Sequence, residues 1–186
     1  MKKIKLHLGC GDRYLPGYTH VDIDEKPHID YPNTDVDDLS SFADNSVDLI
    51  YNCGMFEYFD RETAPAVLKE WKRVLKPKGI LRVSVPNFQS IVEVYLTNGL
   101  DLNGEGILGP LFGRWETSNG KVIYHKTVYD FKSLSEILSS SGFTDIKKYD
   151  TWEVTPENYD DYSKAYIPYK DKNGIQMHLN VECTNG

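Results

Sequence analysis

No stretch of this chain approaches the ~20 consecutive apolar residues that a membrane-spanning helix requires. Cysteine is scarce: Cys10, Cys53 and Cys183 are odd in number and far apart, and none forms a Cys-x-x-Cys pair. That spacing carries no disulfide framework and suggests no metal set; free thiols in a reducing compartment are the simplest account. Positive charge is also short, with 21 Lys and Arg against 28 Asp and Glu, a net charge of −7. The basic residues are scattered among acids, whereas a sequence-independent grip on nucleic acid needs a cationic face. Internal repeats and low-complexity segments are lacking. The opening MKKIKLHLGCG has two lysines, but Lys5 and His7 break its apolar run, so it does not read as a secretory signal and a cytoplasmic location is expected. What remains is an ordinary globular mixture, 40% hydrophobic and 26% charged over 186 residues, enough for one self-supporting domain spanning 1–186.

Short β-compatible stretches at 4–8, 19–23 and 47–51 alternate with turns and polar segments, which suggests a parallel sheet with crossovers. From Asp60 to Lys76 the chain reads as a helix. Asp60 is its cap, Val67, Leu68, Trp71, Val74 and Leu75 form one face, and Lys76-Pro77-Lys78-Gly79 is its stop. A strand at 80–85 and a helix from Phe88 to Leu96, capped by Asn87, are expected next. The segment 98–120 holds six of the fourteen glycines and Pro110 without sustained periodicity, and reads as a long loop or lid. A helix at 130–141 and strands at 143–149 and 176–182 complete the chain. Between those strands runs a connection rich in tyrosine, with Tyr159, Tyr162, Tyr166 and Tyr169.

Chemistry is concentrated near the start. Leu6-His7-Leu8 runs into Gly9-Cys10-Gly11, a turn at which a ligand can approach the main chain. Asp22 follows at the end of the second strand, where an acid can accept hydrogen bonds from ribose hydroxyls. A dinucleotide would want a third glycine and a helix amino terminus for its pyrophosphate. Tyr14 stands at the sixth fingerprint position, and the residues from Asp12 to Tyr18 leave room for barely one helical turn. Adenosine joined to an amino acid, as in S-adenosylmethionine, suits that spacing better.

LHLGCG, VDID, DDLSSFADNSVDLIY and RVLKPKGILRVSVP, in that order, resemble a class I S-adenosylmethionine-dependent methyltransferase over about residues 4–150. More narrowly, they are similar to a bacterial group of small methyltransferases with a shortened first crossover. The resemblance implies an α/β, Rossmann-like three-layer sandwich with a mostly parallel seven-stranded sheet ending in an antiparallel hairpin. It implies a lid-like insertion at about 98–128 and a Tyr-rich connection at about 151–174. The methionine part of S-adenosyl-L-methionine would lie at Gly9, Cys10 and Gly11, and the ribose at Asp22. Adenine would lie beside Asp38 and Leu39, or Asp35 by a longer spacing, and the methyl end near Asn52, Cys53 and Gly54. An open hollow between Asp22 and the glycine turn is part of this expectation. His7 departs from the small acid or amide common before the turn, and Cys53–Tyr58 lacks the histidines often found there.

A hydroxyl or ammonium acceptor must lose a proton during methyl transfer, so a base helps. Glu57, His125 and Tyr129 are the candidates, with Asp161 behind them. Two of them have a plainer reading: His125 as a packing histidine, Glu57 as a cap or ion-pair partner. Arg13 is either a contact for the cofactor carboxylate or an exposed arginine. Trp71 belongs to the core, while Trp115 and the tyrosines are candidate walls of an acceptor site. Lys69, Lys72, Lys76 and Lys78 read as a solvated face. The leading expectation is a methyltransferase acting on a small-molecule or carbohydrate-type acceptor, with envelope polysaccharide biosynthesis as one setting. The alternatives are a non-catalytic nucleoside-binding module and a nicotinamide oxidoreductase, which the short crossover disfavours.

Overall fold

The computed structural model describes residues 3–99, 102 and 105–186. Six strands form the central sheet in the order β2-β1-β3-β4-β10-β7. These are β1 (Lys5–Leu8), β2 (Thr19–Val21), β3 (Val47–Cys53), β4 (Leu75–Pro86), β7 (Phe143–Lys148) and β10 (His178–Asn185). Pairs among the first four are parallel, and β10 runs antiparallel between β4 and β7. The expected α/β class and terminal antiparallel pair are present, but the described sheet has six strands rather than seven. The place of the missing strand is marked by one parallel bridge, Val21 to Tyr31. Pro27 and Pro32 flank it, and proline removes the donors that would extend a ladder.

One face of the sheet presents Leu6, Leu8, Ile50, Leu81, Val83 and Val181 to α1 (Ala64–Val74) and α4 (Phe131–Ser140). Trp71 is the keystone of α1: its ring is wholly buried and its indole N–H donates to the Val36 carbonyl at 2.8 Å. The helix is shorter than the expected 60–76. Asp60 instead closes a turn by accepting from Thr63 N at 2.8 Å, and Pro65 sits in the first helical turn. At the other end Leu75 already pairs with Val47, and Pro77-Lys78-Gly79 form a bulged entry into β4. Two of the lysines expected to be solvated are tied down. Lys72 Nζ donates to Gly142 O and Asn185 Oδ1, pinning the chain end, and Lys76 pairs with Asp48. α4 begins with a reciprocal cap between Asp130 and Ser133.

Tyr51, Leu49 and Leu15 on the other face are covered by Tyr159 and Tyr18 rather than by a crossover helix. The short first crossover leaves no helix for that layer, so the connection through α5 (Thr151–Val154) supplies it. Part of the expected loop at 98–120 is ordered as α3 (Glu105–Phe112) and the ribbon β5 (Trp115–Glu116) and β6 (Val122–Ile123); residues 100, 101, 103 and 104 lie outside the described residues. α3 packs Ile107 against Ile91 and Val94 of α2 (Phe88–Thr97), which Asn87 caps as expected. A second ribbon, β8 (Tyr166–Ile167) and β9 (Ile175–Gln176), precedes β10. None of the described helices is long and apolar enough to cross a membrane.

Candidate functional site

Parallel pairing of β1 with β2, Leu8 opposite Val21, brings the glycine turn and Asp22 to one edge. Gly9 and Gly11 have φ of 64° and 53°, in the region L side chains avoid. Asp22, buried at 6% exposure, accepts from Gly11 N at 2.7 Å and from Asp24 N at 2.9 Å. Its carboxylate therefore buttresses the turn and faces the same edge. Cys10 is buried beside Asp22, and burial first, then that charge, pushes its thiol up to about 12, so it contributes shape and backbone rather than a nucleophile.

The hollow expected above this turn is covered. A Cβ on Gly9 would collide with the Met55 side chain, and the Trp115 ring lies 3.6 Å from the Cβ position at Gly11. Trp115 is held by its ribbon, which is anchored where Ser118 N and Oγ donate to Asp24 Oδ1 at 2.8 and 3.0 Å. Lys26 reaches the Trp115 ring and pairs with Asp12 and Asp24. The sequence alone did not link these parts, because Asp24 and Ser118 are 94 residues apart.

Past Asp22 the chain returns beside the site, with Thr34 N donating to the Asp22 carbonyl. Asp35 and Asp38 belong to one turn, Asp38 N on Asp35 O at 3.0 Å. Asp38 is exposed and accepts from Ser40 N, whereas the Leu39 side chain is wholly buried in the core and its N–H donates to Glu70. Leu39 thus supports the turn from beneath instead of lining a surface. Asn52, at the carboxyl end of β3, is buried; its Nδ2 donates to Arg82 O while Oδ1 has no partner. Arg13 is exposed.

Glu57 and His125 meet although 68 positions apart. Lys126 N donates to Glu57 O and His125 N to Phe112 O, so backbone bonds seat the 125–126 segment over the turn after β3. Glu57 is 1% exposed, and neither carboxyl oxygen has a hydrogen-bond partner. Burial raises its pKa from 4.5 to about 8. His125 Nε2 lies 3.5 Å from Glu57 Oε1, and its Nδ1 lies 3.0 Å from Pro110 O. A carbonyl can only accept, so Nδ1 carries the proton and Nε2 presents a lone pair to Glu57. Burial lowers the His125 pKa. The pair is therefore a neutral imidazole beside a carboxyl that titrates near neutral pH. Gly113 makes this possible, since any Cβ there would strike the imidazole.

Tyr129 lies close enough to the pair for the Glu57 charge to act on its hydroxyl, which is buried without a hydrogen-bond partner. It is buried, stacked on Phe56 and covered by the Arg61 guanidinium, and burial pushes its hydroxyl up to about 12. Asp161 is engaged by the Tyr51 hydroxyl and by Ser163 N, both of which donate to its carboxylate. Sequence reasoning missed His178, which faces Ser84 Oγ at 3.1 Å and stacks on Tyr162. The Tyr162 ring in turn lies 3.0 Å from the Cβ position of Gly54. Gly54, Glu57, Tyr162 and His178 thus gather around the carboxyl ends of β3 and β4.

Residues 6–83 match the family model of a methyltransferase domain. No curated protein matches the chain in sequence at a significant level. Three solved structures illustrate its likeness in fold. The 1,6-didemethyltoxoflavin-N1-methyltransferase of Burkholderia thailandensis, with 1,6-didemethyltoxoflavin and S-adenosylhomocysteine bound, is 13% identical over 97% of this chain and 70% of its own, TM-score 0.54. A SAM-dependent methyltransferase from Archaeoglobus fulgidus is 16% identical over 98% and 86%, TM-score 0.57. An S-adenosylmethionine-dependent methyltransferase from Mesorhizobium loti is 15% identical over 98% and 91%, TM-score 0.54.

Proposed function

We propose that the chain, whose residues 6–83 match a methyltransferase-domain model and whose fold is that of S-adenosylmethionine-dependent methyltransferases, acts as a class I enzyme of that kind and methylates a hydroxyl or amino group of a small-molecule or carbohydrate-type acceptor, with Glu57 and His125 as the proton-accepting pair. The observation that carries this reading is the buried, unpartnered Glu57 carboxyl facing the free lone pair of His125 beside Gly54.

A glycine turn braced by Asp22 and a free Asn52 Oδ1 at the end of β3 suit the cofactor, whose entry requires Trp115 to lift from Gly11 and Met55 to turn away from Gly9. Gly9, Cys10 and Gly11 would hold its methionine end, Asp22 its ribose, Asp38 or Asp35 its adenine edge, and Asn52 the region of the sulfur. S-adenosylmethionine supplies, when bound, an electrophilic methyl group. The protein's part is alignment and proton transfer. As the acceptor's O–H or N–H bond breaks, its proton passes to His125 Nε2 or to the Glu57 carboxylate. Above about pH 8 Glu57 is ionised and the pair takes that proton most readily. Tyr162 and His178 would wall the acceptor. The Trp115 ribbon is the lid in this reading, lifting from Gly11 as the cofactor enters and settling on it afterwards.

Calorimetric titration with S-adenosylhomocysteine tests the cofactor assignment; an intact fold that gives no heat at millimolar ligand overturns it. Tritium transfer from labelled S-adenosylmethionine to a small-molecule extract, lost in Glu57→Gln, tests the base. Tight cofactor binding without transfer to any acceptor would instead favour a non-catalytic binding module.

A further inference from the structure

The shortened crossover between β1 and β2 forms no helix over residues 12–18, so its backbone polar groups find no helical partners. Two histidine side chains take that place. Leu15, 1% exposed, donates its N–H to His20 Nε2 at 3.0 Å. The Gly11 carbonyl lies 3.1 Å from His28 Nε2. Asp22 already accepts from Gly11 N, so both backbone polar groups of Gly11 are held by side chains from the chain just beyond β2.

Those partners fix where the protons are. A backbone N–H only donates, so His20 Nε2 is a bare lone pair and the ring proton is on Nδ1, 3.3 Å from Asp30 Oδ2. A carbonyl only accepts, so His28 Nε2 carries a proton. The two imidazoles therefore respond differently to acid. His28 gains its second proton at Nδ1 and keeps its bond to Gly11. His20 gains one at Nε2, where it meets the Leu15 N–H donor to donor, and that bond is lost. Asp30 remains as the partner of the imidazolium.

The groups around His20 come from three elements. Its ring stacks on Tyr14 of the crossover, 4.9 Å between centroids, with His7 of β1 at 5.5 Å and His28 at 5.9 Å. His7 in turn faces Tyr51 and Tyr159. Asp12, paired with Lys26, acts on His28, and the Cys10 thiol faces Asp22 and Asp30. Burial is the largest influence on His20 and lowers its pKa from 6.5; Asp30 opposes that shift and His28 adds to it. Neutral His20 is thus the form at neutral pH. Among the described residues no three His, Cys, Asp or Glu are grouped to hold a metal ion, so the cluster is read through its protons.

We propose that His20 and His28 are positioning residues for the cofactor turn, His28 through the Gly11 carbonyl and His20 through the Leu15 N–H, and that the hold of His20 lasts only while its Nε2 is unprotonated. Once Leu15 is released the turn binds from a looser ensemble, and ordering it on binding costs affinity. Cofactor affinity consequently falls on the acid side of neutrality. This rests on the reading of the glycine turn as the cofactor site and adds to it a pH response separate from that of Glu57.

The test reads binding by the full chain rather than methyl transfer, which keeps it apart from the chemistry of Glu57 and His125. Calorimetry with S-adenosylhomocysteine at pH 7.5 and pH 5.5 should show wild-type affinity about tenfold weaker at the lower pH, the loss of roughly one hydrogen bond. His20→Ala should be about tenfold weaker at both pH values. The conservative His20→Gln, whose amide oxygen accepts from Leu15 N without titrating, should recover most of that loss and show no pH step. His28→Ala should weaken binding several-fold at both and leave the pH step in place. Nitrogen NMR of wild-type imidazoles, which needs no variant to fold, should find His20 protonated at Nδ1 at pH 7.5, with the Leu15 amide shifting as Nε2 takes its proton. Equal affinity at the two pH values, a pH step that survives His20→Gln, a protonated His20 Nε2 at pH 7.5, or His28→Ala binding like wild type overturns the proposal. Coupled His20 and Leu15 shifts in a protein that binds no S-adenosylhomocysteine at either pH support the histidine hold and overturn the cofactor reading instead.

Discussion

The glycine-turn half of the site and the Glu57 half are built in opposite ways. In the first, Gly9, Gly11 and Asp22 lie within 14 positions of one another, and neighbouring parallel strands bring them to one edge by register alone. In the second, Glu57, His125, Tyr162 and His178 come from four separate segments, held by backbone bonds such as Lys126 N to Glu57 O. The first half uses backbone shape and a carboxylate paired with N–H groups. The second leaves the Glu57 carboxyl oxygens buried without partners, which costs stability. Local strand geometry can make a binding turn; reactive groups of unusual pKa require burial, and burial requires distant segments to close over them.

The sharpest way to break this comparison is to exchange the consequences of two carboxylates. Asp22→Ala should weaken S-adenosylhomocysteine binding about a hundredfold through loss of two charge-assisted bonds, read by calorimetry. Glu57→Gln should leave that affinity nearly unchanged while lowering methyl transfer roughly a hundredfold or more. If both variants lose cofactor affinity alike, the division into halves is wrong.

Gly113→Ala comes next. Its Cβ must displace the His125 imidazole, so transfer should fall by about tenfold to a hundredfold, with cofactor binding retained. A variant that transfers normally would separate His125 from the chemistry.

Stability against pH sharpens the contrast further. Glu57 has a folded pKa of about 8, raised above 4.5, so its contribution is fully present below pH 4.5 and is lost as pH rises toward 8. Glu57→Gln should therefore raise the melting temperature at pH 8 and above relative to wild type, and change it little at pH 4.5. His7 and His178 act with the opposite sign. Burial holds both near pKa 3, so their contribution is present above pH 6.5 and is lost as pH falls. Melting curves between pH 4 and 9 check both directions.

The smallest effect concerns the Trp115 ribbon. S-adenosylhomocysteine should change tryptophan fluorescence, and Trp115→Phe should remove most of that change, leaving Trp71 and Trp152 silent. Ser118→Ala, which removes one of the two bonds to Asp24, should speed cofactor entry a few-fold in stopped flow.

Much of the cofactor half was legible in the residues. Gly9-Cys10-Gly11 followed by Asp22 is a short-range pattern, and the strands around it alternate and terminate as their composition requires. The limits of α1 differ from the sequence pattern because Asp60 caps a turn rather than the helix, and because the Pro77-Lys78-Gly79 stop signal serves as a bulge inside β4. The seventh strand failed because prolines leave only the Val21–Tyr31 bridge. In the other half, Glu57 and His125 could be named by type, yet nothing in their neighbourhoods joined them to each other. Tyr129 is as deeply buried as Glu57, packed in the main core cluster with its hydroxyl unpartnered.

Sequence by itself determined the α/β class, the turn with its acid, and the helix faces, since all three depend on periodicity and on residues close along the chain. Tertiary structure alone decided that Trp115 covers Gly11, that Met55 fills the space beside Gly9, and that Glu57 is buried against a histidine. Those outcomes depend on which distant segments exclude water from the same small volume, and one-dimensional spacing carries no information about shared volume.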